Sequence, residues 1–211
     1  MIGLKPYLLF DFDGTLADSL HLGLAIANEL SSQYGYQPLT EEELDYLRGQ
    51  PLSTIFKRVH IPFYRIPAFL LQGKKRLNER LSELQPISGM PEALHTLKAA
   101  DFKMALLTSN ALDNVLPFLE RYNIKVFDWY CCDIGLFQKT AALNREIEKR
   151  GLLKKDVFYI GDEARDIRAA KAVKIPMLSV SWGYQPRSLL ETYHPEHLLD
   201  TPDELVRFFI S

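Results

Sequence analysis

Five short, mainly apolar runs constrain this chain more than any other feature: Tyr7–Phe10 (YLLF), Lys103–Leu107 (KMALL), 126–132 (VFDWYCC), 157–160 (VFYI) and Met177–Val180 (MLSV). Each is too short for a buried helix, and continuous apolar character over so few residues predicts strands covered on both faces. Helical spacing separates them. Leu94 and Leu97 share a face within 91–100, and Val115, Leu116 and Leu119 do so within 112–122; 141–150 and 167–173 complete the set. Strand and helix therefore alternate from about residue 87 onward. That alternation predicts an α/β fold with a Rossmann-like parallel sheet.

The first run breaks the pattern. Between 16 and 85 no strand is evident, and helical material is expected at Ser19–Tyr34, Glu41–Leu47, 52–59 and 66–84, interrupted at Gly35, Pro38, Gly49–Gln50–Pro51 and Pro62. The expected organisation is an α/β core of residues 1–15 and 87–211, with a small all-helical cap domain, 16–86, inserted after the first strand. No internal repeat or low-complexity segment is evident.

Composition narrows the possible partners. The 211 residues are 47% hydrophobic and 25% charged, with a net charge of −2. No field of the whole protein then draws it to nucleic acid or to anionic lipid, and an anionic ligand needs a local site. The basic run at 73–76 reads as a solvated helix face. No run approaches the ~18 apolar residues that span a bilayer, and the interrupted N-terminus does not read as a signal peptide. A cytoplasmic protein is expected, monomeric or homodimeric. The two cysteines, Cys131 and Cys132, are adjacent and lie in an apolar run, so they are expected as buried strand residues.

The polar residues that follow the strands carry the chemistry. Asp11, Asp13 and Gly14 follow the first strand directly. Ligands of parallel α/β sheets lie at the carboxyl ends of strands, and two neighbouring carboxylates require a cation or a proton between them. Thr108, Ser109 and Asn110 follow the second strand and precede a helix, where main-chain N–H groups favour phosphate. Lys139 opens a later helix. Asp162 and Asp166 follow the 157–160 strand. Alone, each element also reads as a turn, a cap or a surface lysine. In this order at strand ends, they are the parts of phosphoryl transfer: a nucleophile, phosphate clamps, a counter-charge and a hard-cation site.

These residues resemble the haloacid dehalogenase-like hydrolase superfamily, and most closely its phosphoglycolate phosphatase and β-phosphoglucomutase-like branch. The resemblance spans essentially the whole chain. It rests on DFDGTLADS at 11–19, LLTSN at 106–110, Lys139 and IGDEARDIRAAK at 160–171, with LRGQPL at 47–52 resembling a cap segment. It implies that Asp11 is the nucleophile that forms an aspartyl-phosphate, and that Asp13 is the general acid and base. Thr108, Ser109 and Asn110 would bind phosphate, and Lys139 would offset charge. It further implies a Mg²⁺ ion held by Asp11, the main-chain carbonyl of Asp13, Asp162 and, directly or through a second shell, Asp166. The substrate would be a small phosphorylated metabolite. Arg48, beside Gly49, is the candidate cap contact to a substrate anion.

Two positions depart from the family pattern: Thr140 follows the lysine in place of proline, and Glu163 replaces a small residue. Glu163 is expected to face solvent, and Arg165 to form an ion pair near the acids. The Trp182–Gly183–Tyr184 segment is expected to pack as a loop on the sheet rim. Asp13 favours phosphate chemistry over dehalogenation, whose enzymes lack the second acid. A sugar-phosphate mutase shares the aspartyl-phosphate chemistry and remains an alternative, as does, from another class, a non-catalytic phospho-receiver or binding module.

Overall fold

The computed structural model describes residues 5–48, 50, 52–135 and 138–210, which divide into two compact units, one of the described residues up to 18 and from 86 onward and one of those between 19 and 85.

The larger unit is built on a six-stranded sheet: β1 (Tyr7–Phe10), β2 (Lys103–Leu107), β3 (Trp129–Cys131), β4 (Val157–Gly161), β5 (Met177–Val180) and β6 (His197–Leu199). The spatial order is β3-β2-β1-β4-β5-β6, and every pairing is parallel. The chain runs outward from β1 to β3, then returns to the other side of β1 to begin β4. This reversal makes the β1/β4 boundary the switch point at which open α/β sheets bind ligands. Phe10 lies opposite both Leu106 and Ile160, so the three central strands end in register.

Alternation along the strands fills both faces. Leu9, Ala105, Leu107 and Tyr159 pack with Ala142, Leu143 and Ile147 of α7 (Lys139–Lys149) and with Ile167 and Ala170 of α8 (Ala164–Val173). Elsewhere Phe158 meets Phe209 of the last helix, Pro202–Ile210, with ring centres 5.3 Å apart; that helix packs on α5 (Met90–Ala99), while α6 (Leu112–Arg121) follows β2. The strand expected at 126–132 is shorter, three residues long. Val126 is buried before it begins, and Asp128 is turned back to accept from the Tyr7 hydroxyl and from Met104 N. Cys131 is buried on β3, whereas Cys132 lies beyond the strand and is only half-buried. The sequence reading also passed over β6 and the short helix Arg187–Glu191.

The regular structure of the smaller unit, among its described residues, is helical: α1 (Ser19–Tyr34), α2 (Glu41–Leu47), α3 (Leu52–Arg58) and α4 (Ile66–Glu79), with 3₁₀ turns at Phe63–Arg65 and Leu81–Glu83. Phe69 is its centre, met edge-on by Tyr34, Tyr36 and Phe56. Thr40 and Glu43 form a reciprocal capping box that starts α2. Arg76, part of the basic run, pairs with Glu29 of α1 at 2.8 Å. The helical unit begins at Ser19 because residues 16 and 17 stay with the sheet: Ile87 N donates to Leu16 O at 2.9 Å, and Ala17 bridges to Pro86. No helix among the described residues is long and apolar enough to cross a membrane. The LRGQPL segment falls partly outside the described residues, since Gly49 and Pro51 are not among them.

Candidate active site

The sheet ladder continues one residue past the central strands. Asp11 N donates to Ile160 O and Thr108 N to Cys131 O, each at 2.9 Å, so both side chains are fixed at the carboxyl edge. Asp11 is buried there. Its Oδ1 accepts from Phe12 N at 2.9 Å, and its Oδ2 accepts from Lys139 Nζ at 2.7 Å. Lys139, the first residue of α7, also donates to Asp166 Oδ1 at 2.5 Å. Below it the fully buried Tyr159 ring lies 5.6 Å from the ammonium.

Asp162 and Asp166 arrive from β4. Asp162 is fully buried; its Oδ1 accepts from Thr15 Oγ1 at 2.8 Å and its Oδ2 from Tyr184 N at 2.7 Å. Asp166 Oδ2 accepts from Glu163 N at 3.1 Å, one half of a capping box that opens α8. Gly161 is required beside it, because a Cβ there would stand 2.6 Å from Asp166 Oδ2. Oxygens of Asp11, Asp162 and Asp166 lie within 4.8 Å of one another.

On the β2 side, Asn110 Nδ2 donates to both Asp13 oxygens, at 3.0 and 3.3 Å. The amide orientation follows from its other end: Asn110 Oδ1 accepts from Ala111 N and Asn114 Nδ2. Thr108 is buried, and its Oγ1 accepts from Asn110 N at 3.0 Å. Ser109 is half-buried between them. Asp133, with a left-handed φ of 57°, ties this segment down by donating its N–H to Asn110 O and accepting from Leu112 N.

The electrostatics of the cluster are unbalanced. Three buried carboxylates face one buried ammonium. Burial pushes the Asp162 carboxyl well above the carboxylate range, and Glu163, Asp166 and Asp11 push it further. Burial also raises Asp166, against the pull of Lys139. For Lys139 burial acts downward, but Asp11 and Asp166 outweigh it and hold the ammonium well above its ordinary range. Excess buried negative charge with free oxygen lone pairs calls for a cation. An all-carboxylate donor set suits a hard divalent ion such as Mg²⁺ better than a soft one.

The sheet edge thus brings together Asp11, Asp13, Thr108, Asn110, Lys139, Asp162 and Asp166, with Ser109 in the same segment. Arg48 belongs to the helical unit, where it follows α2 and pairs with Asp45 at 3.1 Å. Glu163 corrects an expectation. Rather than facing solvent it is half-buried, accepts from the α8 N-terminus and pairs with Arg165 at 2.5 Å, since the N-cap position turns its side chain back over the helix start. Arg165 forms the ion pair expected of it. The sequence reading missed Thr15, Tyr159 and the Tyr184 N–H. The last left no signal in residue type, because every residue except proline carries a main-chain N–H.

The haloacid dehalogenase-like hydrolase family model matches residues 8–180. The chain is 32% identical to the phosphoglycolate phosphatase of Synechococcus elongatus, covering 95% of each chain. It is 30% identical to that of Xylella fastidiosa, covering 92% of this chain and 91% of the relative. Among solved structures, a haloacid dehalogenase-like hydrolase of Streptococcus pneumoniae superposes with a TM-score of 0.78 at 19% identity, covering 97% of this chain and 98% of the other. With this sheet order, these strand-end acids and these matches, the chain belongs to the haloacid dehalogenase-like hydrolase family.

Proposed function

We propose that the protein is a Mg²⁺-dependent phosphatase of small phosphorylated metabolites, acting through an aspartyl-phosphate on Asp11, with phosphoglycolate as the leading substrate. The observation that supports this most is the division of the two motif acids between different partners. Asp11 is charge-paired with Lys139, as suits a group that must stay ionised. Asp13 accepts from the amide of Asn110, in the segment read as binding phosphate, which is where a proton donor to the departing oxygen would stand.

In this reading a carboxylate oxygen of Asp11 attacks phosphorus, and the bond from phosphorus to the ester oxygen breaks. The Asp13 carboxyl gives its proton to the departing alcohol. Asp13, now ionised, then takes a proton from water, whose oxygen attacks phosphorus and releases Asp11 and inorganic phosphate. Lys139 balances charge on Asp11 and on the transferring group. Thr108, Ser109 and Asn110 orient the phosphoryl oxygens. Asp11, Asp162 and, directly or through a second shell, Asp166 would hold Mg²⁺, with Asp13 contributing its main-chain carbonyl; when bound, the ion would supply positive charge to offset that of the phosphoryl oxygens.

The helical unit is proposed as a cap, and Arg48 as its contact to the substrate carboxylate. The substrate proposal draws on the Synechococcus and Xylella relatives, which are phosphoglycolate phosphatases. The test is phosphate release from a panel of phosphomonoesters with and without Mg²⁺, using the native protein and Asp11→Asn. Release that needs the metal and is abolished by the substitution is expected. Full release by Asp11→Asn would remove Asp11 as nucleophile.

A further inference from the structure

Residues 182–184 follow β5, the strand beside β4, and cross the turn that carries Gly14 and Thr15. Trp182 Nε1 donates to Thr15 O at 3.1 Å, and Tyr184 N donates to Asp162 Oδ2 at 2.7 Å. Thr15 Oγ1 completes a closed circuit by donating to Asp162 Oδ1 at 2.8 Å. Both oxygens of one fully buried carboxylate are therefore gripped, one from the β1 turn and one from the β5 loop.

Gly183 stands where these segments meet. A Cβ there would lie 2.3 Å from Asp162 Oδ2, 2.3 Å from the Gly14 carbonyl oxygen and 2.4 Å from Asp162 Cβ. Its φ is not in the left-handed region, so lack of space, not backbone angle, excludes a side chain. Gly14 is its counterpart, with φ +73° and a would-be Cβ 2.2 Å from Asp162 Oδ2 and 2.6 Å from the Tyr184 ring. Neither clash has an easy release. Asp162 is held at both oxygens, and at Gly183 one of the opposing atoms belongs to the backbone.

We infer that the Trp182–Gly183–Tyr184 loop is the positioning element of the cation site: it fixes the plane in which Asp162 presents its free lone pairs. The inference rests on the reading of Asp11, Asp162 and Asp166 as cation ligands. Loss of a partner that orients a metal ligand typically costs about 10- to 100-fold in metal affinity. These residues need touch neither substrate nor the reacting atoms. Trp182 is also wired to the site through Thr15, so its environment shifts when Asp162 takes up a cation.

The test uses the full-length, substrate-free protein with Trp129→Phe. The chain has two tryptophans, so Trp182 is then the sole indole. Mg²⁺ binding is read by calorimetry and by Trp182 emission. Saturation should shift the emission of the native loop, and Asp162→Asn should abolish binding. Gly183→Ala should weaken binding by about 10- to 100-fold. Trp182→Phe keeps the aromatic volume but loses the donor to Thr15, and should weaken it by about three- to tenfold. In activity assays, excess Mg²⁺ should restore turnover to Gly183→Ala but not to Asp162→Asn, a rescue that a purely structural defect would not show. Native Mg²⁺ affinity in folded Gly183→Ala and Trp182→Phe would overturn the inference while leaving the cation reading intact. If Gly183→Ala does not fold, Trp182→Phe alone decides. Absence of Mg²⁺ binding by the native loop, or native binding by Asp162→Asn, would sink the cation reading and the inference with it.

Discussion

Lys139 reaches Asp11 across 128 positions of sequence, its Nζ donating to Asp11 Oδ2 at 2.7 Å with both side chains buried. The same ammonium holds Asp166. Replacing it with the similarly long but neutral methionine leaves two buried carboxylates without their cation. Lys139→Met should lower kcat by about 10²–10³-fold, and should destabilise the metal-free protein by about 3–5 kcal/mol. Mg²⁺ should recover part of the stability but little of the rate. Steady-state kinetics and denaturant titration with and without Mg²⁺ check both; native kcat in this variant would remove Lys139 from the reaction.

Asp13→Asn keeps the shape of the side chain and removes the proton. Turnover of an alkyl phosphate should fall by about 10²–10⁴-fold. An aryl phosphate, whose departing phenolate needs little protonation, should form the aspartyl-phosphate far more readily and show a burst before a slow second step. Comparing the two ester classes by rapid quench measures this. An equal loss for both, with no burst, would take the acid role away from Asp13.

Arg48 pairs with Asp45 in the helical unit. If it also contacts the substrate carboxylate, Arg48→Ala should raise KM for phosphoglycolate while leaving kcat nearly unchanged, the pattern of lost uniform binding. A phosphomonoester without a carboxylate should show no such change. Asp45→Ala separates the substrate contact from the ion pair, and a KM unchanged in Arg48→Ala would end the assignment.

The cysteines should take no part in the chemistry. Burial, then the charges of Asp133 and Cys131, push the Cys132 thiol up to about 12, and Cys131 is raised as well, chiefly by burial. A raised thiol holds less thiolate at a given pH, and thiolate is the reactive form. Iodoacetamide at pH 8 should label Cys132 much more slowly than a free thiol, with labelling rising steeply toward pH 11. Rapid labelling at pH 8, or loss of phosphatase activity on alkylation, would contradict this.

Much of the site is legible in the sequence, because a parallel sheet converts strand ends into neighbours. Once Tyr7–Phe10, Lys103–Leu107 and Val157–Gly161 are strands of one such sheet, Asp11, Thr108 and Asp162 fall on the same edge. The motif acids need only one local rule, that a polar residue follows a buried strand. The weaker elements were less legible. β3 shrank and β6 was missed because three-residue edge strands depend on their neighbours more than on their own apolar pattern.

What the sequence by itself determined, then, was the succession of the five apolar strands and the helices between them, and the identity of the strand-end acids and lysine, since apolar periodicity and side-chain charge are written locally. Tertiary structure alone decided which groups grip those acids. Glu163 turned inward over a helix start, and the Tyr184 N–H reached Asp162 through space that only Gly14 and Gly183 leave open. A main-chain donor is the same at every position, so no residue type announces it. Its role comes only from where folding carries the backbone.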